Sequence, residues 1–319
     1  MSKAPQSFQP LPKLWLDGQV IATEQATFHF FTHALHYGVG VFEGVRCYTQ
    51  ENGTPAIFRL KEHIRRLIDS SRMCLMEPPF SQAQLEDACV AVVRESGVDA
   101  CYLRPLIWLG EGPLGIGSTS NKIRAAVGSF PWGAYMGEEG LAKGIRCCVS
   151  SLSRIPQTSN LPKGKICGQY VNSVLAKRAA QLAGYDEALL VDHNGHITEG
   201  TGENIFMLRD GILKTPPLST SILAGITRAS VLELARERAS QLGITVVETN
   251  FGRDELYCAD EIFLTGTAAE VTPVREVEGR TIGAGKPGPV TRALMAAYQD
   301  VVRGRDASKS QWLTPIPKR

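Results

Sequence analysis

The chain has 319 residues, 43% hydrophobic and 21% charged, with a formal net charge of +2. That length suggests about two domains and allows a large core without disulfides or metals. The near-neutral balance excludes strong electrostatic attraction to nucleic acid or to an anionic membrane.

Residues 1–12 are polar and proline-bearing and lack an apolar signal core. No stretch approaches the ~18 consecutive apolar residues of a membrane span. The eight cysteines include no C-x-x-C pair and sit mostly in apolar runs, as Cys147 and Cys148 do. That pattern predicts a reducing, cytoplasmic setting. The six histidines show no metal-ligand spacing, so no metal is expected.

Residues 13–21 read as a hairpin turning at Asp17-Gly18. Residues 27–35 are apolar and aromatic, and His36-Tyr37-Gly38 breaks that run. Strands are predicted at 41–48 and 56–60, around a turn at Glu51-Asn52-Gly53-Thr54-Pro55. A helix over 61–75 shows one face in Ile64, Leu67, Ile68 and Leu75. A second, over 82–96, is capped by Ser81 and stopped by Gly97. Strands at 100–109 and 122–130 flank a glycine-rich loop. Residues 1–128 are therefore expected to form a small N-terminal domain, and the turn-rich, aromatic stretch 129–141 a linker.

In the remaining 142–319, strands are predicted at 144–150, 187–192, 204–208, 212–214, 244–248, 261–265 and 271–277. Residues 196–199 return from a turn at 193–195, helices cover 227–242 and 288–302, and 254–258 is a short helical piece. Strands beside strands, with few βαβ alternations, point to an α+β class and away from a doubly wound parallel sheet. Gly110-Glu111-Gly112-Pro113-Leu114-Gly115 matches G-x-G-x-x-G, but Pro113, Gly117 and Ser118 block the helix that a dinucleotide fingerprint needs. No acidic residue lies between Glu111 and Glu138 to hold a ribose, so the stretch reads as a loop over a site.

The most informative stretch is Lys163-Gly164-Lys165-Ile166-Cys167-Gly168-Gln169-Tyr170, followed by a helix with Val171, Val174, Leu175, Ala179 and Leu182 at helical spacing. A lysine on a bend before a helix can be packed on one side and open to a cleft on the other. Burial there would lower its pKa and free a nucleophilic amine for a Schiff base. Three other stretches suit anion and cofactor chemistry. Leu223-Ala224-Gly225-Ile226-Thr227-Arg228 opens a helix whose first N–H groups can bind phosphate. Thr265-Gly266-Thr267-Ala268-Ala269-Glu270 follows an apolar strand and suits an anion cradle. Glu199, among Gly200 and Gly202, can hold a ring nitrogen protonated. Alone, each also fits a capped helix, a plain turn or a solvated glutamate. Together they are the parts of a pyridoxal phosphate site.

Longer strings carry a resemblance: His33-Ala34-Leu35-His36-Tyr37-Gly38, Phe42-Glu43-Gly44-Val45-Arg46, Tyr102-Leu103-Arg104-Pro105-Leu106, Phe130-Pro131-Trp132-Gly133-Ala134-Tyr135 and Glu199-Gly200-Thr201-Gly202-Glu203-Asn204. With the three stretches above, they make the chain closely similar to the branched-chain amino acid aminotransferases of the fold-type IV pyridoxal phosphate enzymes. The match runs from about Leu14 to Tyr298. The resemblance implies a two-domain α+β fold of the D-amino acid aminotransferase-like type, with a small N-terminal α/β domain and a larger, barrel-like C-terminal domain with helices. It implies reversible transfer of the amino group from leucine, isoleucine or valine to 2-oxoglutarate. Small molecules are the expected partners, with no nucleic acid and no membrane, in a homodimer or homohexamer.

Residue by residue, the resemblance makes Lys165 the catalytic Schiff-base lysine. Glu199 would pair with the ring nitrogen and Tyr170 with the phenolic oxygen. Arg59, Ile226, Thr227 and Thr267, with Leu223, Gly225 and Gly266 beside them, would hold the phosphate end. Tyr102 and the N–H groups of Ala268 and Ala269 would take the substrate α-carboxylate, near Thr267. Tyr37, Phe42 and Trp132 would wall the side-chain pocket, and Arg104 would receive the distal carboxylate of glutamate. Leu114 would reach across from a partner subunit. Lys163 is left as a surface residue. Gln169 departs from the asparagine that many members carry. Within the same fold, a D-amino acid aminotransferase, an (R)-amine transaminase and 4-amino-4-deoxychorismate lyase are the alternatives; the Phe42–Arg46 string and the Tyr102 and Arg104 pair favour the branched-chain enzyme.

Overall fold

The computed structural model describes residues 9–133 and 137–317, and the chain folds as two units, Met1–Gly133 with Val302–Arg319, and Ala134–Val301. In the first unit, strands β1 (Lys13–Leu16) and β2 (Gln19–Ala22) form the expected hairpin, with Asp17 and Gly18 both at positive φ. Helix α1 (His33–Tyr37) ends at Gly38 in the left-handed conformation. The single strand expected over 41–48 is two, β3 (Gly40–Phe42) and β4 (Val45–Thr49), both paired with β6 (Cys101–Leu109). The break falls at Glu43-Gly44. Glu43 is fully buried against helix α2 (Leu60–Met73), and a Cβ on Gly44 would sit 1.8 Å from Tyr102 Oη.

Strand β5 (Pro55–Phe58), helix α3 (Gln82–Ser96) and strand β7 (Ile123–Phe130) complete the central part. The Ser81 hydroxyl caps α3 as predicted. Helix α2 buries Leu60, Ile64, Leu67 and Ile68, but it stops at Met73, and Leu75 is 95% exposed rather than on the buried face. The eight-stranded sheet is completed by Leu313–Pro315, antiparallel to β5. The chain from Val302 onward therefore lies with the first unit and not with the 142–319 segment expected from the sequence.

In the second unit, helix α4 (Gly137–Lys143) occupies part of the stretch 129–141 expected as a loop, while β7 runs to Phe130 in the first unit and residues 134–136 lie outside the described residues. Strand β8 (Ile145–Val149) connects through the lysine loop and helix α5 (Tyr170–Leu182) to strand β9 (Glu187–Val191), which lies parallel to it. Strands β10 (Ile197–Glu199), β11 (Asn204–Arg209) and β12 (Ile212–Thr215) follow. The helix expected over 227–242 breaks at Arg238 into α6 (Ile226–Glu237) and α7 (Ala239–Leu242) before strand β13 (Thr245–Glu248). Helix α8 (Arg253–Tyr257), strands β14 (Glu261–Gly266), β15 (Glu270–Val277) and β16 (Arg280–Thr281), and helix α9 (Pro289–Val302) end the unit.

The sheet order β10-β9-β8-β15-β14-β11 closes on itself, because β10 also pairs with β11. That closure makes the barrel-like domain the resemblance implied. Ile145, Leu189, Ile205, Met207, Leu264 and Val274 fill its core. Helix α5 reverses the expected face. Ala176 and Ala180 pack on Ala188 and Leu190, while Val171, Val174, Leu175 and Leu182 are exposed. Alanines let the helix lie close on the strand, and the larger aliphatics are left outside. Among the described residues, no helix is long and apolar enough to cross a membrane.

Candidate active site

The β8-to-β9 crossover carries the lysine. A 3-10 turn, Cys167–Gln169, brings Tyr170 to the start of α5, and the half-buried Lys165 Nζ donates to Tyr170 Oη at 2.7 Å. Gln169 is buried and donates to Asn160 Oδ1 (3.1 Å) and to the Leu161 carbonyl (3.0 Å). Its longer amide thus staples the loop that precedes the lysine.

Glu199 ends β10, buried, with three donors on its two oxygens. Arg154 Nε donates to Oε1 at 2.5 Å, and the Leu223 N–H (3.0 Å) and Asn204 Nδ2 (3.2 Å) donate to Oε2. Burial pushes this carboxyl above its ordinary range, against the pull of Arg154 and the Leu223 N–H. Asn204 also donates to the Leu223 carbonyl at 3.0 Å. A Cβ on Gly225 would lie 1.9 Å from Asn204 Oδ1, so only glycine lets the chain pass here into α6. Gly225 is the N-cap of α6 and brings no side-chain cap, and Ile226 and Thr227 begin the helix buried. A terminus of this kind presents N–H groups to an anion.

Strands β14 and β15 meet at the turn Thr267-Ala268-Ala269, with Gly266 opposite Glu270. Beside it, the Thr265 hydroxyl is buried with no hydrogen-bond partner. The Lys165–Tyr170 pair, the paired acid Glu199, the uncapped α6 terminus and this orphaned hydroxyl suit a phosphorylated pyridine aldehyde such as pyridoxal phosphate.

The aromatic and cationic residues singled out in the sequence lie in the first unit. Tyr102, Phe130 and Trp132 cluster with ring centroids 4.9 to 5.5 Å apart. The Arg104 guanidinium lies 4.9 Å over the Phe42 ring and 5.7 Å over Tyr102. Tyr37 Oη donates to the Leu114 carbonyl at 2.9 Å, joining α1 to the loop 112–117. Arg59 stands in the left-handed region at φ 52, its guanidinium 4.5 Å over the Trp312 ring and its Nε bonded to Glu62 at 2.5 Å. Arg59 belongs to the first unit, and Thr227 and Thr267 to the second.

The amino-transferase class IV family model matches residues 40–277. The chain belongs to the class IV amino-transferases. It is 45% identical over 303 residues to a branched-chain-amino-acid aminotransferase of Pseudomonas aeruginosa, covering 95% of this chain and 97% of that one. The solved Escherichia coli branched-chain amino acid aminotransferase matches at TM-score 0.92 and 40% identity, over 96% of this chain and 100% of that one. The Thermobaculum terrenum branched-chain amino acid aminotransferase, solved in its PLP-bound holo form, matches at TM-score 0.89 and 36% identity, over 97% and 99% of the two chains. As a class IV amino-transferase, the chain has the fold-type IV architecture expected of it.

Two site neighbours escaped the sequence. Arg154 lies 45 residues before the Glu199 it pairs with, in an unpatterned loop. Lys163, expected at the surface, is half-buried and donates to the Thr220 (2.7 Å) and Ile222 (2.9 Å) carbonyls.

Proposed function

We propose that this class IV amino-transferase moves the amino group of L-leucine, L-isoleucine or L-valine to 2-oxoglutarate, using pyridoxal phosphate, and acts as a homodimer in the cytoplasm. The observation that carries the reading is the assembly, in one unit, of an amine bonded to a phenol, a fully paired buried acid and an uncapped helix terminus. When bound, pyridoxal phosphate supplies an electron sink that stabilises negative charge at the substrate α-carbon. Lys165 Nζ would take the proton from that carbon and deliver it, as general acid, to the carbon of the cofactor's former aldehyde, with Tyr170 Oη orienting the amine. Glu199 would pair with the ring nitrogen. Its raised proton affinity suits a shared proton, and Arg154, Asn204 and the Leu223 N–H fix its angle. The Ile226 and Thr227 N–H groups, Thr267 and Arg59 hold the phosphate end, with Leu223, Gly225 and Gly266 shaping the cradle.

One pocket must accept both an apolar side chain and a carboxylate. Burying a charge is costly unless it is paired. Arg104, stacked on Phe42 beside Tyr102, answers that need, and Tyr37 and Trp132 complete the wall. Tyr102 and the N–H groups of Ala268 and Ala269 take the α-carboxylate, near Thr267. The exposed aliphatics of α5, with Phe30 (71%) and Ile116 (86%) of the first unit, support a dimer, in which Leu114 serves the partner's site. The eight free cysteines support a reducing compartment.

Borohydride reduction followed by peptide mapping tests the reading. The label belongs on Lys165 and disappears when L-leucine is added first. A protein without visible absorbance that takes no label overturns it. Turnover with D-alanine or (R)-1-phenylethylamine in place of L-leucine would reassign the substrate, and light scattering at monomer mass would remove the dimer.

A further inference from the structure

Lys163 stands two residues before Lys165, in the same loop, and its side chain turns away from solvent. Its Nζ reaches the carbonyls of Thr220 and Ile222, 57 and 59 residues later. Burial lowers its pKa, and holding a long flexible side chain in one arrangement costs rotamer entropy. A lysine with no structural task would extend into water.

The two carbonyls belong to residues 216–225, an irregular stretch between β12 and α6 that has no ladder to pair its backbone. Buried backbone groups must be satisfied somewhere, and only an ammonium or a guanidinium brings several donors and a full charge from one side chain. Several side chains hold this stretch: Arg228 donates to the Pro216 carbonyl (2.8 Å), Lys163 to Thr220 and Ile222, Asn204 to the Leu223 carbonyl, and Glu199 accepts from the Leu223 N–H. Arg228 lies on α6 itself, and Glu199 and Asn204 lie on the barrel strands β10 and β11. Lys163 comes from the loop of Lys165 and so ties that loop to the stretch.

We propose that Lys163 is a positioning residue that locks residues 216–225, and with them the N-terminus of α6, to the lysine loop. The phosphate-holding end and the amine-bearing end of the cofactor site are then one rigid piece. This rests on the reading above that α6 holds the phosphate of pyridoxal phosphate while Lys165 bonds its aldehyde. The consequence is selective. Removing Lys163 loosens the phosphate end and leaves the Lys165–Tyr170 pair, so phosphate recognition is lost while aldehyde capture persists.

The test removes cofactor from purified holoenzyme and compares wild type, Lys163→Met and Lys163→Arg. Affinities are measured for pyridoxal phosphate and for pyridoxal, which lacks the phosphate, with amide exchange over residues 217–225. In Lys163→Met, pyridoxal phosphate affinity should fall about tenfold or more, the factor carried by one charge-assisted hydrogen bond. Pyridoxal should change less than about twofold, exchange over 217–225 should quicken about tenfold, and Lys163→Arg should restore most of the loss. A merely structural lysine would weaken both ligands together. Equal losses, or no loss with wild-type exchange, overturn the proposal. If the wild type binds neither ligand, the functional reading fails instead, and the exchange measurement still decides whether Lys163 locks the stretch. Should Lys163→Met not fold, Lys163→Gln takes its place with the same expected split between ligands, and its absence overturns the proposal.

Discussion

Each unit buries a glutamate at a glycine bend, Glu43 in the first and Glu203 in the second, and the two are held in opposite charge states. Glu43 sits at the β3–β4 break, with His63 Nδ1 2.7 Å away and Arg66 donating at 2.6 and 2.9 Å. Burial would raise its pKa, but Arg66 and His63 overcome that and hold it well below the usual carboxylate range. Glu203 lies under the bend that follows Glu199, against Gly200 and Gly266. Its neighbours are Glu187, already bonded to Lys177 and to the Thr201 hydroxyl, and the buried Cys147. Burial and the Glu187 charge push Glu203 up to about 8. Equal burial thus yields a carboxylate beside Arg66 and His63 and a carboxylic acid beside Glu187. The charge a buried group carries is decided by what faces it.

The largest effect separates the units by chemistry. Lys165→Ala should cut transamination by about 10⁴-fold or more, measured with L-leucine and 2-oxoglutarate, because the nucleophile and proton carrier are one group. No first-unit substitution in the proposed site should approach that loss.

Glu43→Gln should then destabilise the chain by about 3–5 kcal/mol in urea unfolding at pH 7, since Arg66 loses its counter-charge and His63 its carboxylate partner in a buried site. Glu203→Gln at pH 6 should cost far less. Similar losses from the two would erase the contrast.

Arg104→Ala should weaken use of 2-oxoglutarate about a hundredfold in kcat/KM, while 4-methyl-2-oxopentanoate changes little. Equal losses would remove its role as the distal-carboxylate partner.

The smallest effect is a pH profile. Glu43 contributes stability above its unfolded value near 4.5 and loses it as pH falls through its folded value. Glu203 keeps a proton in the folded chain that the unfolded chain releases between 4.5 and about 8, so across that window stability falls as pH rises. Glu203→Gln retains an acceptor for the Gly202 N–H and a donor toward Glu187. It should raise Tm by several degrees at pH 8.5, by less at pH 5.5, and leave it unchanged at pH 4. A parallel offset at all of these pH values would mean that Glu203 is ionised throughout.

The elements that pattern and punctuation mark were legible. The Asp17-Gly18 hairpin, the Ser81 cap and the Gly225 entry to α6 each follow from a local backbone requirement. The Lys165–Tyr170 pair was legible too, because its spacing lies within one turn and a half of chain. The face of α5 was not, since helical spacing shows that one side is apolar but not whether a neighbour covers it. Ala176 and Ala180 won that contact by their small size. Nor could the sequence show that Leu313–Pro315 adds to the first sheet, because a three-residue strand has no period of its own.

The sequence by itself determined the fold type, the family and the identity of the amine and acid proposed for the chemistry, since these rest on residue types at short spacings. Only the tertiary structure decided which side chains surround them. Arg154 reaches Glu199, Lys163 reaches Thr220 and Ile222, and Glu187 meets Glu203, each across a connection that carries no periodic signal. The physical reason is that irregular loops must find donors and acceptors wherever the barrel brings them, and the closure of β10 onto β11 sets those meetings.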